Sequence, residues 1–459
     1  MASSSWTAAL RRLLPAGRVA TDPETLAAHA GDAWFAAVTP EAVAFPADTA
    51  EVSKVLAFAH RRKIPVTARG AGRGYVGGCV PQRRGIVLSL IRMNKVLEID
   101  LVDGVARVQP GVLTASFQDL VKKKGWFYPP DPASRKECSL GGNAATNAGG
   151  PRCLKYGVTR NYVTGLEVVL ADGTVARVGG RTQKNKAGFD LVGLFVGSEG
   201  LLGVATELTL RLIPHPQARA GLSATFASAP AAAQAVQAIF AAGFLPSGLE
   251  MADSFTLKAA RNYLGADVVP PGAAQILVEV DGRAGSVQGE LKELAALLQK
   301  LKTPPGHLRL APDEAGCEAL WEMRRNYSAS LKNSGLTKLN QDIVVPRRRL
   351  VDLFRFAAGL QKRYGMPVAC FGHAGDGNIH VNVMADMSRP GAEKASRRAL
   401  DELFRQILAW NGTITGEHGI GLAKLPWWKT AASPEVRALH ARIKRALDPA
   451  GILNPGKFA

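Results

Sequence analysis

Acidic residues are scarce in this 459-residue chain: 38 Asp and Glu stand against 57 Lys and Arg, a formal charge of +19. Such a field concentrates anions, so nucleic acid, an anionic membrane surface, phosphate cofactors and small carboxylates are the partner classes to weigh. Cysteine is also scarce. The five, at 79, 138, 153, 317 and 370, show no CxxC spacing, which excludes a disulfide framework, a zinc ribbon and a ferredoxin-type cluster module and fits a reducing cytoplasm. Aromatics are only 7% of residues, and neither Lys122–Lys124 nor Arg347–Arg349 has aromatics interleaved for base stacking. Both basic runs therefore read as solvated, and no specific nucleic-acid binding is expected.

Long apolar runs are missing too. The thirty residues between Arg219 and Glu250 carry no charge, but Pro230 and Pro246 bracket the helical part and Gln234 and Gln237 interrupt it. What remains is shorter than the ~20 residues that span a bilayer. It reads as an Ala-rich helix packed on a sheet. Arg11 and Arg12 fall where a secretory signal needs an apolar core, so the N-terminus reads as a short amphipathic helix.

What is present is a chain of 47% apolar residues, enough for two or three packed domains. Glu51–Lys63 has helical periodicity and is followed by the strand-like PVTAR. Apolar runs with Asp-Gly turns at 85–90, 95–111 and 165–178 predict strands and hairpins, and 203–214 a last strand of an α+β portion. Pro214-His215-Pro216 reads as a linker. Beyond it strands alternate with helices, which predicts an antiparallel sheet with helices on one face. Residues 433–459 read as one amphipathic helix and an extended tail.

Three glycine-rich segments punctuate the first portion. Gly72, Gly74 and Gly77 form a literal GxGxxG, yet a strand and not a helix follows, so the nicotinamide-type fingerprint is refused. A nest of backbone N–H groups for phosphate oxygens and an ordinary long loop both remain open. Ser139–Gly150, preceded by Pro130 and Asp131, interleaves glycine with Asn143, Thr146 and Asn147, which predicts a ligand wall rather than a linker. Residues 195–203, with Glu199 and Gly200, form a third turn of that kind.

The clearest chemistry lies near the C-terminus. In FGHAGDGNIHVN, His373 ends one strand, His380 begins the return, and alternation places His380 and Asn382 on one face. Two histidines beside a tight turn can ligate one metal ion if a third ligand joins them. TITGEHGIG offers Glu417 as that ligand and His418 as a base. Three of only eight histidines thus fall in two glycine-flanked motifs. Arg324 and Lys338 flank a predicted helix, and from sequence alone they read as a solvated face.

With these residues in view, the chain resembles the FAD-linked oxidases of the vanillyl-alcohol oxidase superfamily over nearly its whole length. Within that group it is similar to the glycolate oxidase flavin subunit, D-lactate dehydrogenases and D-2-hydroxyglutarate dehydrogenase. PVTARGAGRGYVGG, SLGGNAATNAGGPRCLKYGVT, VGSEGLLG, GHAGDGNIH, GEHGIG and LDPAGILNPGKF carry the likeness. It implies an α+β fold: a PCMH-type FAD-binding domain of two subdomains at 1–215, a cap or substrate domain with an antiparallel sheet at 216–430, and a tail at 431–459 returning to the FAD domain.

The resemblance further implies an FAD-dependent dehydrogenase that oxidises a small D-2-hydroxy acid, glycolate or D-lactate, to the 2-oxo acid. A larger acid such as D-2-hydroxyglutarate is the alternative, and a basic nucleic-acid-binding protein a distant one. Noncovalent FAD would be held by Arg69, Gly70, Gly72, Gly74, Gly77, Gly78, Pro130, Asp131, Ser139, Gly142, Asn143, Thr146, Asn147, Gly149, Gly150, Gly157, Glu199, Gly200 and Asn454. His373, His380 and Glu417 would hold a divalent Zn, Mn or Fe ion. Arg324, Lys338 and Asn382 would bind substrate, and His418 would be the catalytic base. The chain departs from many relatives at Arg73 and Leu201, where they carry Thr. An electron-acceptor protein, a quinone or a partner subunit would take the electrons, and a homodimer and peripheral attachment to the inner face of the membrane stay open.

Overall fold

A computed structural model of the chain describes residues 5–459. In chain order its helices and strands are α1 (Ser5–Leu13), β1 (Val19–Ala20), α2 (Pro23–Ala28), β2 (Ala42–Ala44), α3 (Thr49–Arg62), β3 (Val66–Arg69), β4 (Ile86–Ser89), β5 (Val96–Asp100), β6 (Val105–Val108), α4 (Thr114–Lys122), β7 (Trp126–Phe127), α5 (Leu140–Thr146), α6 (Cys153–Tyr156), β8 (Val163–Val169), β9 (Val175–Gly179), α7 (Leu191–Phe195), β10 (Val204–Arg211) and β11 (Ile213–Pro214). There follow β12 (Ala218–Phe226), α8 (Ala229–Ala241), β13 (Gly248–Asp253), α9 (Ser254–Leu264), β14 (Ala274–Gly282), α10 (Ala284–Gln299), β15 (His307–Ala311), α11 (Glu314–Arg325), α12 (Tyr327–Lys332), β16 (Thr337–Val344), α13 (Leu350–Tyr364), β17 (Val368–His373), β18 (Asn378–Ala385), α14 (Ala392–Ala409), α15 (Leu425–Ala431) and α16 (Pro434–Leu447). Among the described residues no helix is long and apolar enough to cross a membrane.

The chain divides into two compact units: residues 1–149, 158–215 and 417–459 form one, and residues 150–157 and 216–416 the other. In the first unit a four-stranded sheet runs β1-β2-β4-β3 and a five-stranded sheet runs β5-β6-β10-β8-β9. Helix α3 shows how sequence builds this unit. Asp48 caps its N-terminus by accepting from the Glu51 N–H at 2.8 Å, Lys63 ends it in the left-handed region, and Val52, Val55, Leu56 and Ala59 repeat at helical spacing. All four are fully buried, in one core with Ile86, Leu88 and Leu10. Each of the valine and leucine side chains contributes about 1.5–3 kcal/mol by leaving water.

The C-terminal tail belongs to this unit. Leu453 bridges Val66 in parallel, the Val66 N–H donates to Ile452 O at 2.8 Å, and the Asn454 N–H donates to Val66 O at 2.7 Å. Lys444 fixes the approach: its buried ammonium donates to Leu201 O and Leu453 O at 2.7 Å and to Asp448 Oδ2 at 2.6 Å. Three acceptors compensate the burial of that charge.

The second unit is built on a seven-stranded antiparallel sheet, β15-β12-β14-β13-β17-β18-β16. Helices cover both of its faces, where the sequence led us to expect one. β13, β17 and β18 are buried at every residue, so neither face meets water. Leu257, Met323, Tyr327 and Leu331 of α9, α11 and α12 pack with Ala252, Ala369, Phe371 and Met384 on one side. Helices α8, α10, α13 and α14 pack on β12, β13, β14, β17 and β18 and supply the other cover. The near-continuous apolar run Ile276-Leu277-Val278 in β14 was the sign of two-sided burial.

Candidate active site

A cavity opens in the first unit where the glycine-rich segments converge. β3 and β4 are parallel neighbours, so residues 70–85 form a crossover between them and not a hairpin loop. Gly72 adopts φ +69°, which favours glycine. At Gly70 a Cβ would lie 2.5 Å from Ser139 Oγ, so two backbone segments approach each other as only glycine permits. Ser139–Gly150 begins not as a loop but as α5, with the Ser139 hydroxyl accepting from the Gly142 N–H at 3.3 Å.

Many of the expected cofactor residues line this cavity: Arg69, Gly70, Gly72, Gly74, Gly78, Ser139, Gly142, Asn143, Thr146, Gly149, Glu199 and Gly200. Gly77, Pro130, Asp131, Asn147, Gly150, Gly157 and Asn454 do not, although the neighbouring Pro132, Ala133 and Ser134 do. Gly150 and Gly157 fall in the segment that groups with the second unit. The polar side chains of α5 serve the wall itself: Asn143 Nδ2 donates to Thr114 Oγ1 at 2.8 Å, Thr146 Oγ1 to Gly142 O at 3.2 Å, and Asn147 Oδ1 accepts from the Arg160 N–H at 2.8 Å. Arg69 likewise turns its guanidinium to Gly31 O and Ala28 O. Small atoms and backbone thus form the lining, a cradle that suits a large flat cofactor with a phosphate chain such as FAD.

His418 and Glu417 line the same cavity, and the His418 ring stacks on Tyr75 at 5.3 Å. Their loop is held by Glu199, whose buried carboxylate accepts from the Ile420 N–H at 2.8 Å and the Gly421 N–H at 2.9 Å. Burial pushes the Glu199 pKa up, while the two N–H groups oppose that shift. Glu199 is therefore a strut between two cavity walls. Asn454 braces the same corner, its Nδ2 donating to Gly78 O at 2.9 Å and Glu199 O at 2.8 Å. Asp32 also lines the cavity and was not singled out by sequence; burial raises its carboxyl pKa.

The second unit brings together His373, His380, Arg324, Lys338 and Asn382. The β17–β18 hairpin sets Phe371 opposite His380, and the His373 and His380 rings meet edge to face at 5.6 Å. Glu250, 1% exposed on β13, joins this group: His373 Nδ1 donates to its Oε1 at 2.5 Å and Arg324 Nε to its Oε2 at 2.5 Å. Burial opposes its ionisation, but Arg324 and His373 outweigh burial and hold its pKa down at about 2. The Arg324 guanidinium lies over the Phe371 ring at 4.9 Å and the Lys338 ammonium near it at 6.0 Å.

Lys338 donates to Ser328 Oγ at 2.6 Å, and among the described residues no carboxylate pairs with it. Burial first, then Lys332 and Arg324, lower its pKa to about 8. Asn382, fully buried, donates from Nδ2 to Ala369 O and His380 O at 3.0 Å, which leaves Oδ1 as its remaining acceptor. Asp342, unremarked in the sequence, stands in register with His380 and accepts from the Gly416 N–H at 3.1 Å and Thr415 Oγ1 at 2.9 Å. Gly416 is bonded to Glu417. Two imidazoles on one hairpin, one with its Nδ1 committed to a carboxylate, are nitrogen donors of the kind that Zn, Mn or Fe takes, and the chain runs directly from the anchored Gly416 into Glu417.

Residues 40–179 match the family model described as FAD binding domain, and residues 215–458 match FAD linked oxidases, C-terminal domain. The chain is 39% identical over 419 residues to glycolate oxidase subunit GlcD of Bacillus subtilis, covering 91% of this chain and 89% of the relative. It is 32% identical over 437 residues to a D-lactate dehydrogenase of Anaerostipes hadrus, covering 94% and 92%. Its fold is also that of p-cresol methylhydroxylase, with a TM-score of 0.80 at 19% identity over 98% of this chain and 96% of that one. A two-part match across both units, with relatives this similar over nearly their full length, places the chain in the FAD-linked oxidase family.

Proposed function

We propose that this protein is an FAD-dependent dehydrogenase that converts a small D-2-hydroxy acid, glycolate or D-lactate, to the 2-oxo acid. The observation that carries the substrate class is Lys338, a half-buried ammonium without a carboxylate beside the Arg324 guanidinium. Glu250 neutralises one of these two cations through the Arg324 Nε, so one positive charge remains beside the ring, and a substrate carboxylate supplies its partner. Bound FAD supplies the two-electron acceptor and a bound divalent ion supplies Lewis acidity at the substrate oxygens.

The roles of the chain's own residues follow. The glycine walls, with Arg69, Ser139, Asn143, Thr146, Glu199 and Gly200, surround the cofactor. His373 and His380 bind the ion, with Glu417 as third ligand, supported by the bond from Glu417 to the Asp342-anchored Gly416. Arg324 and Lys338 bind the carboxylate, and Asn382 Oδ1 accepts from the bound acid. His418 takes the hydroxyl proton as the C2–H bond breaks with its electron pair and C2 becomes a carbonyl carbon. Stacking on Tyr75 fixes the plane of that imidazole. A larger acid such as D-2-hydroxyglutarate would use the same groups.

The test is the visible spectrum of the purified protein under anaerobic conditions. A flavin band bleached by glycolate or D-lactate, and left intact by both in His418→Ala with FAD still bound, is the expected result. Bleaching of His418→Ala at the wild-type rate would reject His418 as the base, and bleaching by D-2-hydroxyglutarate alone would move the assignment to the larger acid.

A further inference from the structure

Glu250 lies at the centre of the second unit, and its two oxygens have different clients. Oε1 accepts from His373 Nδ1 and Oε2 from Arg324 Nε, both at 2.5 Å. We propose that Glu250 is a positioning residue that fixes the His373 tautomer for metal ligation and aims Arg324 at the substrate carboxylate, so that one buried carboxylate sets both sites. The inference rests on the metal and substrate reading above and adds a residue that neither touches substrate nor ligates.

The chemistry follows from the ring. A neutral imidazole has one N–H, and holding that proton on Nδ1 leaves the Nε2 lone pair for an ion. The carboxylate also makes the ring a better donor to the ion, as the hydrogen-bond partners of metal-bound histidines do. On the other side, accepting from Nε leaves the Nη1 and Nη2 edge of Arg324 for a bidentate carboxylate contact. Cation–π contact with Phe371 then holds the guanidinium plane. The site tolerates few alternatives: the Glu250 side chain is 2% exposed, and water cannot replace it readily.

Glu250 stands on β13 between Leu249 and Met251, and β13 pairs with β17 at Met251 and Gly372. His373 is the next residue on β17, so the strand pairing itself brings the carboxylate to the imidazole. Arg324 arrives from α11, which is capped by Asp313 through the Gly316 N–H at 2.7 Å. Sheet register sets one partner and helix docking the other.

Glu250→Gln keeps volume and one carbonyl acceptor but places an amide N–H group against one of two donors. The holoenzyme variant is expected to retain FAD and wild-type circular dichroism while its Zn2+ dissociation constant, read by competition with a chromophoric chelator, rises about 10- to 100-fold. KM for glycolate or D-lactate is expected to rise with it, and Glu250→Asp, which keeps the charge but not the reach, to recover less than half of either loss on a logarithmic scale. A folded Glu250→Gln with unchanged Zn2+ affinity overturns the inference while leaving the metal reading intact. Wild-type protein that binds neither Zn2+, Mn2+ nor Fe2+ refutes the metal reading and the inference with it. If the variant does not fold, 15N-histidine spectra of wild-type protein decide: His373 protonated at Nδ1 supports the inference, and protonation at Nε2 alone overturns it.

Discussion

Lys338→Met isolates the anion-binding half of the proposed site, because it removes a charge without changing the length of the side chain much. A hydrogen bond from a charged group is worth about 1.5–3 kcal/mol, so KM for glycolate or D-lactate should rise about 10- to 150-fold, with a smaller change in the limiting rate of flavin reduction. The free enzyme carries Lys338 at a pKa near 8, chiefly through burial and secondarily through Lys332 and Arg324. Wild-type kcat/KM should therefore fall above about pH 8 as the ammonium loses its proton, and the variant should lack that limb. Stability moves the other way. Between pH 8 and 10.5 the unfolded chain holds a proton on this lysine that the folded chain has released, so wild-type stability rises with pH over that window. The drop from 10.5 to about 8 corresponds to at most roughly 3–4 kcal/mol. Because the side chain is only half-buried, screening reduces this to about 1–2 kcal/mol. Lys338→Met should thus melt a few degrees higher than wild type at pH 7 and converge with it by pH 10. The assays are stopped-flow flavin reduction across pH and thermal melting of the same samples. An unchanged KM with an unchanged alkaline limb would refute the assignment of Lys338 to the substrate carboxylate.

Two further perturbations address the first unit. Glu199→Gln leaves one of the Ile420 and Gly421 N–H groups facing an amide N–H, at a cost of about 1–3 kcal/mol, and should slow flavin reduction about tenfold with flavin still bound; wild-type rates at full flavin content would show that the strut does not hold the His418 loop. Gly70→Val puts a branched side chain where even a Cβ lies 2.5 Å from Ser139 Oγ, so the purified protein should lose at least nine-tenths of its flavin absorbance while keeping its far-ultraviolet dichroism. Full flavin content in that variant would remove residues 70 and 139 from the cofactor wall.

Local patterning makes much of this molecule legible in its sequence. Hairpins with Asp-Gly turns appear as β5–β6 and β8–β9, and the Ala-rich segment between prolines became α8. The histidine pair was legible because a four-residue turn and strict alternation fix which side chains share a face. Long-range pairing was not legible. No local signal tells that β3 and β4 lie parallel, that tail residues 452–454 add to the free side of β3, or that helices cover the second sheet on both faces. The strands β15 and β16 went unread for a related reason: β15 is mostly exposed, Arg309 included, and β16 half-buried at successive residues such as Asn340, so neither shows a clean alternation.

Glu250 and Asp342, which sequence reading missed, are acids whose partners are distant in the chain, and so is Glu199, which it placed at the cofactor but without its role as a strut. Glu199 meets loop residues more than two hundred positions away, Glu250 meets His373 across 123 and Arg324 across 74, and Asp342 meets Gly416 across 74. Motif spacing cannot detect such pairs, but composition carried a hint. Glu250 is the first charge after thirty uncharged residues and sits between Leu249 and Met251 in a run that otherwise reads as buried strand. A buried carboxylate in that position is costly unless cations or N–H groups surround it, so its presence announces partners even when it does not name them. The same logic applied to Asp342, between Gln341 and Ile343 in β16, points to the anchor for the loop that ends at Glu417. In a chain this poor in acid, a charge inside an apolar strand is a better guide to the site than the abundant arginines and lysines, most of which serve the surface.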